Sequence, residues 1–121
     1  MTLSNAITRC TEALGDTAGS DDIIMWLNEL EATVISELYQ THNIPAAKRC
    51  PLNTDTPKDT VLLIPDPYSE VYIAHAMMKN DLKLRDMRKY ATSAVVFAAA
   101  YSSFSDWFNR TYLPRTTGIK L

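Results

Sequence analysis

The residue types that most often carry chemistry are few in this chain and poorly spaced for it. Two histidines, His42 and His75, and two cysteines, Cys10 and Cys50, are the available metal ligands and nucleophiles. Structural or catalytic zinc needs three or four such groups converging, commonly through CxxC or HExxH spacing. His75 instead falls on an apolar helical face with no second histidine at ligand spacing, which reads as a core or interface residue. His42 falls at a helix C-terminus, where a cationic ring favours the negative end of the dipole. Cys10 lies in an amphipathic segment and Cys50 precedes a proline in a polar loop, so two free thiols are expected. There is no nucleophile with an evident base, no glycine-rich phosphate loop and no carboxylate pair in an obvious cleft. Asp55, Asp59 and Asp66 surround a loop, where turn and cap roles account for them. The sequence therefore predicts no metal, no cofactor and no enzyme.

Charge offers one further candidate. Lys79, Lys83, Arg85, Arg88 and Lys89 cluster within a short stretch, interrupted by Asp81 and Asp86. Such a cluster could contact phosphates, but mixed signs at a junction between helices read better as a solvated turn. The whole chain has a formal charge of −2, with 12 basic and 14 acidic residues, which is no footprint for wrapping nucleic acid. A helix-turn-helix is also poorly served, because the second helix carries acids where a recognition helix wants basic and amide side chains.

The elements that must position these residues are mostly helical. At 121 residues the chain suits a single domain, residues 1–121, and its 46% hydrophobic content can build a core. Three glycines argue against a turn-rich all-β fold. Leu3, Ile7, Cys10 and Leu14 share helical spacing over a first helix, which Gly15 ends. Ser20 or Asp21 is placed to cap a second helix over about 22–41, with Ile23, Leu27, Leu30, Val34 and Leu38 as its buried stripe. Glu29, Glu31 and Glu37 are assigned to its wetter faces. Residues 43–58 hold Pro45, Pro51 and Pro57 and form a long loop. Val61, Leu62, Leu63 and Ile64 then form a short extended segment that needs a partner, from a hairpin or a neighbouring subunit.

Asp66 and Pro67 read as the cap and first position of a third helix, on which Val71, His75, Met78 and Leu82 share a face. After the charged stretch a fourth helix continues to about Tyr112. Met87, Ala91, Ala94, Ala98, Tyr101, Ser105, Phe108 and Tyr112 form one continuous row along it. Tyr90, Phe97 and Phe104 form a second row. The expected fold is mainly α, a bundle of about four helices around a long C-terminal helix. It carries a long loop with a short β segment, and residues 113–121 form an extended C-terminal arm. No segment has the layout of a signal peptide or the length of a membrane span, so a reducing cytoplasm is the expected site of synthesis.

Several of these residues also form a pattern. Leu62-Leu63-Ile64-Pro65-Asp66-Pro67-Tyr68, Asp81, Tyr90, Ser93-Ala94, Phe97, Ala100-Tyr101, Phe104, Asn109-Arg110-Thr111 and Pro114 occur in order. Over residues 62–115, extended by 26–42, the chain resembles a family of small tailed-phage and prophage head–tail connector (adaptor) proteins. It departs from that pattern at Lys83-Leu84-Arg85, where the relatives carry an Asn-Gly type of turn. The resemblance implies a virion protein assembled in the host cytoplasm, forming a dodecameric ring beneath the portal. Its implied partners are the portal, neighbouring copies and a stopper or tail-completion protein, with DNA passing through the channel without sequence-specific binding and no membrane. The arm Arg115, Thr116, Thr117, Gly118, Ile119, Lys120 and Leu121 is expected to dock on the portal. Val61, Leu62, Leu63 and Ile64, with the 43–58 loop, are expected to contact the ring or the next ring. A small DNA-binding or regulatory protein using Lys79–Lys89 is the alternative, and a toxin–antitoxin or chaperone-like helical partner is a third reading.

Overall fold

The computed structural model describes residues 1–42 and 51–112. Among them four α-helices run in order: α1, Leu3–Leu14; α2, Ser20–Val34; α3, Glu70–Lys83; and α4, Met87–Thr111. A 3₁₀ turn, Gly15–Thr17, follows α1, and a π-helical turn, Ile35–Tyr39, extends α2. The mainly helical bundle with a long C-terminal helix is as the periodicity predicts. Cys50, the first half of the proline-bearing loop and the arm 115–121 lie outside the described residues.

Burial selects α3 as the helix that the others share. It packs against α1, α2 and, most extensively, α4. Val71, Tyr72, Ile73, Ala74, His75 and Ala76 are buried one after another. A helix apolar around its whole circumference is stable only when covered on all sides. The stripe Ile23, Leu27, Leu30, Val34 and Leu38 on α2 is buried throughout, as its spacing requires. Leu3, Ala6 and Cys10 bring α1 into the same core. The Cys10 thiol is free, and burial pushes its pKa up to about 12.

Three local expectations are overturned. Among the described residues the extended segment forms no hairpin with its preceding loop. Val61 instead makes an isolated antiparallel bridge to Thr2. Leu3 N–H donates to Thr60 O at 2.8 Å and Ser4 N–H to Lys58 O at 2.9 Å, while Leu62 N–H donates to Met1 O at 3.0 Å. Residues 58–62 thus occupy the first turn of α1, where backbone N–H groups otherwise lack partners. Thr2 Oγ1 completes that cap by accepting from Asn5 N–H.

Asp66 does not cap α3. Its carboxylate accepts from Ser69 Oγ at 2.5 Å, and Tyr68 N–H goes to Pro65 O. The helix accordingly starts at Glu70 after a tight turn that contains a cis Asp66–Pro67 bond. The Ser69 hydroxyl, then the N-terminal ammonium, lower the Asp66 pKa. Neither Ser20 nor Asp21 is the cap of α2, whose N-cap is Gly19 with no side-chain bond. The acidic pair Asp21–Asp22 in the first turn complements the helix dipole in its place.

Candidate functional site

Glu31 marks where the sequence pattern was least informative. Assigned to a wet face, it is only 3% exposed. Its carboxylate accepts from Leu63 N–H at 3.1 Å and from Tyr72 Oη at 2.8 Å, and Tyr72 Oη accepts in turn from Ile64 N–H at 2.8 Å. A buried carboxylate is tolerable only with such donors around it. The effect is to clamp the 61–64 segment onto α2 and α3. Leu62 and Ile64 are consequently core residues, Leu63 is half-buried, and Val61 alone of the four is largely exposed, at 63%. Of the four residues expected to contact the ring or the next ring, Val61 is therefore the one left open at the surface of the single chain. In the described part of the loop, Leu52 is buried and its N–H donates to Asn28 Oδ1 at 2.8 Å.

His75 is a core histidine. Among the described residues neither ring nitrogen meets a hydrogen-bond partner at full bonding geometry, Glu29 Oε2 lies 3.9 Å from Nε2, and the ring packs on Phe97 at 5.3 Å between centroids. Burial, reinforced by Lys79 and opposed by Glu29, pulls its pKa down to about 4, so it is neutral at pH 7. His42 is also buried. Nδ1 donates to Leu38 O at 2.8 Å, and Nε2 lies 2.7 Å from the Asn109 side-chain amide. It therefore ties the end of α2 to α4. No group of three His, Cys, Asp or Glu residues able to hold a metal occurs among the described residues. Nor is any of the described helices long and apolar enough to cross a membrane.

Side-chain hydrogen bonds tie α4 both to α3 and to the turn that follows α2. Asp81 accepts a short hydrogen bond from Ser93 Oγ, and Tyr101 Oη donates to Glu37 at 2.8 Å. Burial and then this bond raise the Tyr101 pKa. At the turn, Arg85 N–H donates to Leu82 O and Asp86 N–H to Asp81 O, with Arg85 at φ 57°. These two bonds define a Schellman ending, in which a left-handed residue follows the helix. Arginine thus takes, at a steric cost, the position for which glycine or asparagine is suited. Asp86 Oδ1 then caps α4 by accepting from Lys89 N–H.

The basic cluster is largely neutralised within the chain. Lys79 pairs with Glu29 at 3.2 Å, Lys83 with Asp22 at 2.7 Å and Lys89 with Asp86 at 4.0 Å. The bond from Lys83 lowers the Asp22 pKa. Arg85 and Arg88 have no ion-pair partner among the described residues. Arg88 and Lys89 reach one rim of an open cleft of about 570 Å³ between α1, α3 and α4, with Leu14, Asn80 and Leu84 on its walls.

The most unusual surface lies on α4. Of its 25 residues only Phe104 and Phe108 are fully buried. Phe108 stacks on Tyr39 at 5.4 Å and meets His42 edge-on at 4.8 Å. Further back, Phe97, Ala100 and Tyr101 touch the core only in part. Of the row that invited a close helix neighbour, Met87, Ala91 and Ala98 are exposed, whereas Ala94, Tyr101 and Ser105 are half-buried and Phe108 is buried. Val95 and Val96 stand 69% and 54% exposed. No charged residue occurs between Lys89 and Asp106, so this stretch of the outer face is uncharged, and among the described residues nothing covers it. Spacing alone could not separate it from the buried face, because small apolar residues occupy both.

No protein-family model, curated protein or solved structure matches this chain.

Proposed function

We propose that this protein is a structural subunit of a tailed-phage head–tail connector ring. It docks below the portal, extends the DNA channel and presents a surface to the next stopper or tail protein. The observation that supports this reading best is the division of labour along α3 and α4. Residues of the connector-like pattern hold the fold through Asp81–Ser93, Tyr101–Glu37, Asn109–His42 and Phe104. The same helix turns an uncharged face outward. Such an outward face suits a role in assembly contacts. With Leu62 and Ile64 committed to the core, Val61 is the most exposed contact point of that segment, and portal docking falls to the arm 115–121.

Deletion of residues 115–121 tests the docking assignment. The expected outcome is loss of filled, tail-competent particles with the helical domain still folded by circular dichroism; unchanged assembly would remove the arm from the account. A DNA gel shift with salt titration addresses the alternative. Binding is expected to be weak, because three of the five cations are internally paired. A steep loss of tight binding with salt would favour the DNA-binding reading instead.

A further inference from the structure

The exposed face of α4 has an internal symmetry that identifies an occupant. Eighteen positions separate Arg88 from Asp106, about five turns of an α-helix, so both side chains leave the same side of α4. Between them on that side lie Thr92, Val95, Ala99 and Ser102, all exposed. The order is symmetric about position 97: Val95 and Ala99 are equidistant from it, as are Thr92 and Ser102, and so are Arg88 and Asp106. The stripe is therefore positive at its N-terminal end, negative at its C-terminal end and uncharged in the middle. Neither Arg88 nor Asp106 has an ion-pair partner within the described residues.

We infer that α4 pairs antiparallel with α4 of a second copy about a two-fold axis near Phe97. A two-fold contact must be self-complementary, each surface meeting itself reversed. Reversal of this stripe places Arg88 of each copy opposite Asp106 of the other, twice, and Val95 against the partner's Ala99. Alanine, serine and threonine along the seam let the two helices approach within about 8–10 Å. At a shallow crossing of about 20° the ends diverge little over the roughly 13 Å from axis to terminus, within reach of an arginine side chain. A parallel pairing would instead oppose Arg88 to Arg88 and Asp106 to Asp106. The two-fold pair closes on itself and is a different contact from the head-to-tail interfaces of a ring, although it engages the same α4 face that the connector reading turns outward.

Sedimentation velocity on the full chain, over a concentration series in low salt, tests the inference. Wild type is expected to be a reversible dimer. Arg88→Asp alone and Asp106→Arg alone each face like charges in both pairs, and each is expected to weaken dimerisation by about tenfold or more. An equimolar mixture of the two single variants restores both opposite-charge pairs and is expected to recover dimer. The double variant R88D/D106R is expected to do the same. Both positions are exposed and unpaired, so circular dichroism should show the fold intact in every variant. A strictly monomeric wild type would overturn the inference. So would a dimer or higher ring that is indifferent to the single reversals, or single variants that do not recover on mixing.

Discussion

Helices α3 and α4 face each other along the hairpin, yet they spend their apolar residues differently. α3 buries six consecutive residues and has neighbours on three sides. α4 is nearly twice as long, buries two residues completely and leaves Val95 and Val96 in solvent. Both carry mainly apolar and small side chains, so composition does not tell them apart. What differs is coverage: α1, α2 and α4 all reach α3, whereas α4 leans chiefly on α3. Among the described residues nothing covers the outer face of α4, and an exposed apolar patch of this kind is a common mark of an interaction surface.

The sharpest way to break this contrast is to truncate on the two sides of α4. Phe104→Ala removes a fully buried ring and should cost about 3–5 kcal/mol in chemical denaturation. A loss below about 1 kcal/mol would mean that the C-terminal end of α4 is not anchored in the core. Next in size is Glu31→Leu, which leaves Leu63 N–H and Tyr72 Oη without their acceptor. About 3 kcal/mol of stability should be lost, and hydrogen exchange should accelerate at Leu63 and Ile64 before the helices are affected.

His75 probes the covered side of α3 through pH. Its pKa is about 4 in the folded chain against 6.5 for the free side chain, so the unfolded state binds more protons between those values. Stability is therefore fully expressed above about pH 6.5 and falls as pH drops toward 4. The loss reaches up to about 3 kcal/mol at 1.36 kcal/mol per pKa unit. His75→Met should flatten that segment of the pH profile relative to wild type; an unchanged slope would place the ring in water.

Smaller effects belong to the turn and to the outer face. Arg85→Gly relieves a left-handed conformation and should stabilise the hairpin by about 1 kcal/mol, read as a rise in Tm. Val95→Ser, measured at protein concentrations low enough to keep the chain monomeric, should change stability by less than about 0.5 kcal/mol. A large loss there would mean that this face is covered within the chain after all.

These same elements show how far the sequence could be read. The stripe on α2 and the long rows of α4 were legible, because helical periodicity is a local property and both helices are long. Glu31, the 61–64 segment and Asp66 were not. Glu31 and the 61–64 segment are decided by partners far away in sequence, Glu31 by Leu63 and Tyr72 and Val61 by Thr2, and Asp66 by a nearby hydroxyl together with the distant N-terminus. Asp66 illustrates the competition most simply. Its position before a proline suits a helix cap, but the Ser69 hydroxyl and the N-terminus claim its carboxylate, and Tyr68 N–H turns back to Pro65. Burial of one face of α4 and exposure of the other is likewise a fact about neighbours, invisible to spacing. The reversed symmetry of Arg88 and Asp106, by contrast, was present in the sequence and gained meaning only once both proved exposed.

The connector reading is tested most directly by co-expressing the full chain with a tailed-phage portal protein and imaging the purified complex. The account predicts a ring of copies stacked beneath the portal, lost on removal of residues 115–121. Absence of any portal association, with the chain instead bound to DNA in a salt-sensitive manner, would contradict it.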